Sequence, residues 1–344
     1  MPPPAFATPL PQSCRSETLE WRFPKPFHNY VLTGKSRAAW HTSFVIPQLN
    51  LLLDAGLCVN KLRPKHIFLT HGHSDHALLA PAFVTGDDPP DVFCPAEMVR
   101  LFDDFVLAKR LLNQGGVGSV DGVDADDLED DGEETDGGAD KATDNQESSE
   151  PVKNGGLRIS HITHGLRHDD VVPLRRTKNI TATAFKCDHT IPCLGYVFST
   201  TTLKLRPEYA SLPGPELKTL RQSGVDITAA ITTPIFAFLG DTTAATLAAG
   251  PEWLRQGIPV VITECSFLRE EHRAQATKTK HTFWPELEQV VRHWPRTTFI
   301  LTHFSMRYSD DEVRRFFKEL SDPPGNIVVW VDGEGGGLNW NNRP

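Results

Sequence analysis

The segment Thr70-His71-Gly72-His73-Ser74-Asp75-His76 constrains this chain more than any other stretch of it. Four side chains able to ligate a metal, His71, His73, Asp75 and His76, fall within six residues. They follow the apolar run His66-Ile67-Phe68-Leu69, which reads as a buried strand. A helix cannot aim positions i, i+2, i+4 and i+5 at one point, whereas an irregular loop at a strand end can. Imidazole and carboxylate are donors that Zn²⁺ and similar borderline ions accept. The lack of cysteine in the loop speaks against a closed structural zinc site.

A chain of 344 residues has room for one large α/β domain or two small ones. It contains no run of 18 apolar residues, so no membrane contact is expected. Residues 1–27 are rich in proline, lack the apolar centre of a secretory signal, and read as a loose N-terminal arm. The six cysteines are scattered without a Cys-x-x-Cys pair. That pattern fits reduced thiols in an intracellular protein, cytoplasmic or nuclear, with an organelle as the alternative. The net charge of −9 is unevenly spread. Residues 118–150 hold fourteen acidic residues and one basic residue, Lys141, and the remainder of the chain carries +4. With almost no large apolar side chain to offset chain entropy, the stretch 118–153 reads as a disordered acidic insertion. The acidic balance therefore does not exclude an RNA substrate.

The rest reads as alternating strands and helices. Val31-Leu32 leads to a turn at Gly34-Lys35-Ser36. Thr42–Ile46 and Leu51–Leu53 pair as strands, and Asp54-Ala55-Gly56 closes the second as a turn. Residues 96–112 read as a helix with Leu101, Phe105, Ala108 and Leu112 on one face. Strands are expected at 159–163, 180–185, 194–199, 235–239, 257–263, 298–301 and 327–331. Helices are expected at 283–293 and 310–320. Several strands end in polar, ligand-type residues, which would gather on one edge of stacked sheets.

Three further positions complete a two-metal constellation: His189, Asp241 in Gly240-Asp241-Thr242, and His303. His71, His73 and His189 would hold one ion, Asp75, His76 and His303 the other, with the Asp241 carboxylate bridging both. His164 and His168 are the nearest rivals to His189.

The His-x-His-x-Asp-His loop resembles the signature of the metallo-β-lactamase superfamily. The spaced set, His189-x₅-Gly195-Tyr196, Gly240-Asp241-Thr242 and His303-Phe304-Ser305-x-Arg307-Tyr308, resembles ribonuclease Z, the endonuclease that trims 3′ trailers from tRNA precursors. The likeness runs through Leu205-Arg206-Pro207-Glu208-Tyr209 and Thr263-Glu264-Cys265-Ser266-Phe267-Leu268, and is closest to the short plant form. It implies an α/β fold of the metallo-β-lactamase αββα sandwich type, two mixed β-sheets flanked by helices. The catalytic domain would span 28–335 and leave 336–344 as a tail. It also implies a metal-dependent endoribonuclease that leaves a 3′-OH on the tRNA by attack of a metal-activated hydroxide. Two divalent ions, Zn²⁺ foremost and Mn²⁺ as the alternative, would be held by His71, His73, Asp75, His76, His189, Asp241 and His303. Asp75 would also accept a proton. Precursor tRNA is the implied partner, and a homodimer is expected by analogy. A small-substrate metallo-phosphodiesterase of the same fold is the alternative.

The chain departs from the family pattern twice. Where a His-Glu-Ala-Thr motif is expected it reads Thr263-Glu264-Cys265-Ser266, so Glu264 and His281 remain as the proton relay. The projecting substrate arm is shortened to residues 203–234, with Lys204, Arg206, Lys218 and Arg221 as candidate phosphate contacts. Arg307 is a further candidate for gripping RNA.

Overall fold

The structure, a computed structural model, describes residues 6–13, 16–59, 63–84, 88–113, 115 and 160–332. The expected acidic insertion and C-terminal tail lie outside the described residues. The strands fall into two sheets. The first contains β1 (Leu10–Pro11), β2 (Leu19–Arg22), β3 (Val31–Arg37), β4 (His41–Ile46), β5 (Leu51–Leu53), β6 (His66–Phe68), β7 (Asp91–Pro95) and β8 (Ile162–Leu166), in sequence order across the sheet. The second contains β9 (Val171–Pro173), β10 (Ile180–Lys186), β11 (Leu194–Leu205), β12 (Thr228–Phe238), β13 (Val260–Glu264), β14 (Thr298–Thr302) and β15 (Ile327–Val329), likewise in order. Each sheet begins antiparallel and ends parallel, the change falling at β5–β6 in the first and at β12–β13 in the second.

Period-two alternation builds the layers. Phe68, Phe236, Phe238 and Ile300 point between the sheets and meet Phe44, Leu53, Tyr196 and Ile262 in one core. Their neighbours Ile67, Ala237, Phe299 and Leu301 point outward under helices. On the first sheet the cover is α2 (Val99–Asn113), through Phe102 and Val106. On the second it is α4 (Trp284–His293) and α5 (Asp310–Lys318), through Leu287, Val291, Val313 and Phe317. Helix, sheet, sheet, helix is the expected four-layer sandwich. Ser309 caps α5 by a reciprocal box with Glu312. Among the described residues no helix is long and apolar enough to cross a membrane.

Several expectations need correction. Gly34-Lys35-Ser36 is not a turn but the middle of β3. A Cβ at Gly34 would sit 2.2 Å from the Ser43 carbonyl oxygen, so the glycine serves close strand approach. The turn falls at Ala38–Trp40 instead, with Ala39 at φ 59°. The N-terminal segment is not loose where it is described. Phe6 is buried against Phe317, Ala7 bridges to Val328, and β1 and β2 extend the first sheet. Burial of Phe6, Leu19 and Phe23 outweighs the proline-rich composition. The strand expected at 159–163 starts later, at Ile162. On α2 the face Leu101, Phe105, Ala108 and Leu112 is turned to solvent, and Phe102 with Val106 makes the core contact. The helix carries two apolar stripes, and periodicity alone does not say which is inward.

Candidate metal centre

The carboxyl ends of the parallel strands in both sheets open onto one crevice, the usual ligand position in such sheets. Asp54 follows β5, Thr70 and His71 follow β6, Asp241 follows β12, Glu264 ends β13 and His303 follows β14. His189 lies in the turn joining β10 to β11. The His loop is less irregular than its sequence suggests, since Ser74–Ala77 forms a one-turn helix, α1, bearing Asp75 and His76. Gly240 lets two loops meet, because a Cβ there would lie 2.5 Å from the Thr70 Cβ and 2.9 Å from the Cys193 sulfur. Asp54 and His303 adopt left-handed backbone, φ 54° and 59°, strain that packing around the site must hold.

Two sets of donors converge. In one, His71 Nε2 lies 3.0 Å from His73 Nδ1, and His189 Nε2 lies 3.3 Å from that same atom. Asp241 Oδ2 stands 3.7 Å from His71 Nε2 and 4.0 Å from His189 Nε2. In the other, His76 Nε2 and His303 Nε2 are 3.3 Å apart, and Asp75 Oδ2 is 3.3 Å from His303 Nε2. Asp241 Oδ1 lies 3.3 Å from His76 Nε2 and 3.4 Å from His303 Nε2. Each set groups within 4.8 Å, and Asp241 belongs to both. Nitrogens bound tetrahedrally at about 2.0–2.1 Å from Zn²⁺ sit roughly 3.3 Å apart, so these spacings fit ligation. Mutual hydrogen bonding could satisfy only some of these imidazoles.

In four of the five histidines the other ring nitrogen is held by a partner, which favours one tautomer. His76 Nδ1 donates to Asp54 Oδ2 at 2.7 Å. His71 Nδ1 donates to Thr70 Oγ1 at 3.0 Å, and Thr70 Oγ1 donates to Asp54 Oδ2 at 2.9 Å. His189 Nδ1 donates to the Lys280 carbonyl at 3.2 Å. His303 Nδ1 meets Ser266 Oγ at 3.0 Å, and that hydroxyl lies 2.6 Å from Glu264 Oε2. Such partners orient metal-ligating histidines and raise their basicity.

The electrostatics of the metal-free site divide the histidines. Burial pushes His71, His73 and His189 down, toward the neutral form a ligand needs. Burial would raise Asp241, but His303 and His76 hold its carboxyl well below the usual range. Burial also opposes a charged His76, yet the Asp241 and Asp54 carboxylates raise it well above the ordinary histidine value.

Glu264 is fully buried and accepts from four groups: Thr242 N–H (2.6 Å), His281 Nδ1 (2.9 Å), Ser266 Oγ (2.6 Å) and Thr282 N–H (3.1 Å). It thus ties the end of β13 to the loops bearing Asp241, His281 and His303. Burial disfavours a charged His281, but Glu264 outweighs it and raises the imidazole to about 9.

The two rivals fall away from the cluster. His164 bonds the buried Asp91 at 2.7 Å, and the exposed His168 meets the Lys186 amide. The arm candidates also stand apart. β11 and β12 continue as an antiparallel ladder to Leu205↔Thr228, topped by α3 (Gly214–Gln222). Lys204, Lys218 and Arg221 are exposed there. Arg206 is half-buried, donates to the Thr228 carbonyl at 3.0 Å and pairs with Asp226 at 3.6 Å, which makes it a brace of the arm. Arg307 is exposed, its guanidinium 5.8 Å from the centre of the Phe267 ring. Sequence reasoning missed Asp54, Thr70 and Ser266. The only signal for Asp54 was an acidic residue ending a strand before Ala-Gly.

Residues 54–171 match the metallo-beta-lactamase superfamily, and the donor sets of the αββα sandwich are able to hold divalent ions. Along most of its length the chain is similar to plant tRNase Z. It is 27% identical over 311 residues to chloroplastic tRNase Z TRZ2 of Arabidopsis thaliana, covering 88% of this chain and 75% of that protein. It is 26% identical over 312 residues to tRNase Z TRZ1 of the same plant, covering 88% and 96%. The solved structure of the human short-form tRNase Z overlays with a TM-score of 0.47 at 14% identity, covering 87% of this chain and 95% of that one.

Proposed function

We propose that this protein is a metal-dependent endoribonuclease that removes the 3′ trailer from tRNA precursors. The observation that carries the reading is the pair of donor sets sharing Asp241, flanked by the Glu264–His281 pair, in a chain similar to tRNase Z over 88% of its length. In this reading His71, His73 and His189 would hold one divalent ion and Asp75, His76 and His303 the other, with Asp241 shared by the two donor sets. The histidine-rich, cysteine-free donor set favours Zn²⁺, with Mn²⁺ as the alternative. Bound there, two such ions supply Lewis acidity and an activated water for attack on the phosphodiester.

The remaining chemistry belongs to the chain. Asp75, held by the Ala39 N–H at Oδ2 (2.8 Å), receives the proton of the attacking water. In the metal-free chain Glu264 raises His281 to about 9, which favours the protonated imidazole. With Nδ1 committed to Glu264, its Nε2 hands a proton to the departing 3′-oxygen, leaving a 3′-OH on the tRNA. Thr263 occupies the strand position where the family carries histidine, and His281 performs this step without it. Lys204, Lys218, Arg221 and Arg307 neutralise RNA phosphates. The solvent-facing stripe Leu101, Phe105 and Leu112 on α2 supports a homodimer. The activity belongs in a compartment holding tRNA precursors: cytoplasm, nucleus or an organelle.

The test is incubation with a 3′-extended tRNA precursor, with and without a chelator, and mapping of both new ends. Cleavage at the tRNA 3′ boundary that the chelator abolishes supports the reading. Turnover of small phosphodiesters alone overturns it in favour of a small-substrate hydrolase.

A further inference from the structure

Trp40 is unexplained by the fold. Its side chain is 58% exposed although it sits in the tight Ala38–Trp40 turn between β3 and β4. That turn is anchored to the metal centre on two sides. The Ala39 N–H donates to Asp75 Oδ2 at 2.8 Å, and the Ala38 N–H donates to the Phe304 carbonyl, next to His303, at 3.2 Å. At its base the buried Arg37 donates to the carbonyls of Ser305 and Tyr308 and pairs with Asp310 at 3.2 Å. The indole is therefore presented on a rigid support one residue from an atom hydrogen-bonded to Asp75. The Lys35 ammonium lies over the indole, 5.7 Å from its centre, and is itself paired with Glu17 at 2.7 Å, while the His41 ring lies 4.7 Å away. Beside it opens a cavity of about 160 Å³ lined by Lys35, Ser36, Arg37, Trp40, Met306 and Trp330, with Met306 itself 53% exposed.

We propose that Trp40 is a stacking platform for the nucleobase of an unpaired nucleotide flanking the scissile phosphate. The inference rests on the endoribonuclease reading and adds a residue that positions its substrate. A largely exposed indole suits RNA, because an unpaired base stacks on the face of the ring that Lys35 leaves open. A rigid support matters, since a platform fixed beforehand spends no further entropy on ordering when RNA arrives. A base held on Trp40 sets the register of the chain across the two donor sets, so Trp40 is a positioning residue. Sequence tolerance follows, because every base offers a π face.

The experiment compares wild type, Trp40→Ala and Trp40→Phe in binding a fluorescein-labelled, 3′-extended tRNA precursor by anisotropy, with chelator present so that nothing is cleaved. Thermal unfolding and zinc content of each variant serve as folding controls. Base stacking on an aromatic is worth roughly 10- to 100-fold in affinity, so Trp40→Ala should weaken binding by about that factor. Trp40→Phe, which keeps a ring, should stay within about threefold of wild type. On RNA made abasic at the flanking nucleotides, wild type should fall to the level of Trp40→Ala, and the substitution should have no further effect. Equal binding of intact RNA by wild type and a folded Trp40→Ala overturns the proposal. An undiminished Trp40 effect on the abasic RNA overturns it too. Failure of the wild type to cleave the precursor in metal, with the binding difference intact, would sink the endoribonuclease reading and leave the platform standing.

Discussion

Replacing Asp54 with asparagine tests whether the crevice is a metal site oriented from behind. Asp54 is completely buried and never touches the converging donor atoms' centre. Its two oxygens accept from three donors: the Thr70 N–H at 2.8 Å, Thr70 Oγ1 at 2.9 Å and His76 Nδ1 at 2.7 Å. An amide of the same shape cannot repeat this. With its oxygen toward Thr70, the NH₂ faces His76 and forces the proton onto Nε2, the atom aimed at His303 and Asp241. With its oxygen toward His76, the NH₂ opposes the Thr70 N–H. Either way one charge-assisted bond is lost, worth about 1.5–3 kcal/mol, or roughly 10- to 100-fold in an equilibrium constant. That matches the usual cost of removing a partner behind a metal-ligating histidine, about 10- to 100-fold in affinity. Asp54→Asn should therefore bind Zn²⁺ and Mn²⁺ about 10- to 100-fold more weakly in competition with a chromogenic chelator at neutral pH. Circular dichroism and thermal unfolding in chelator check the fold. A folded Asp54→Asn whose affinity for both ions equals that of wild type would refute the reasoning.

Asp241→Ala should abolish metal binding by both donor sets and all activity. His281→Ala should keep its metal and lose about 10²–10⁴-fold in kcat, the worth of general acid help; equal metal content and residual rates in the two would undo the assignment. In metal-free protein the raised His281 contributes stability that is complete below its unfolded value of about 6.5 and is lost as pH climbs through about 9. The melting temperature in chelator should fall over that window in wild type and fall less in His281→Gln, where only the raised His76 still contributes. Cleavage of precursor tRNA should weaken steeply with salt, and Lys218→Ala with Arg221→Ala should flatten the log–log slope by about one unit per lost phosphate contact. An unchanged slope would show that the β11–β12 arm does not grip RNA.

The local order of residues was enough to place the candidate donors at strand ends. The loop at 71–76 lies at the end of an apolar run, and Asp241 and His303 each follow a strand whose alternating side chains announce it. Because strand ends are set by where the apolar pattern stops, the sequence alone assigned these residues to one edge of two sheets, and the resemblance supplied their grouping. Which partner stands behind each imidazole was not legible. Asp54 to His76, Ser266 to His303 and the Lys280 carbonyl to His189 are contacts between distant segments, created when parallel strands align their ends. The inward face of α2 and the anchoring of Phe6 were likewise decided by packing, since an apolar stripe records a wish for burial without naming the surface that grants it. Trp40 shows the same division. Its chemistry is written in the chain, but its place near Asp75 exists only once β3 and β4 turn over the His loop, because the hydrogen bond from the Ala39 N–H to the Asp75 carboxylate, 36 residues away, holds the turn there.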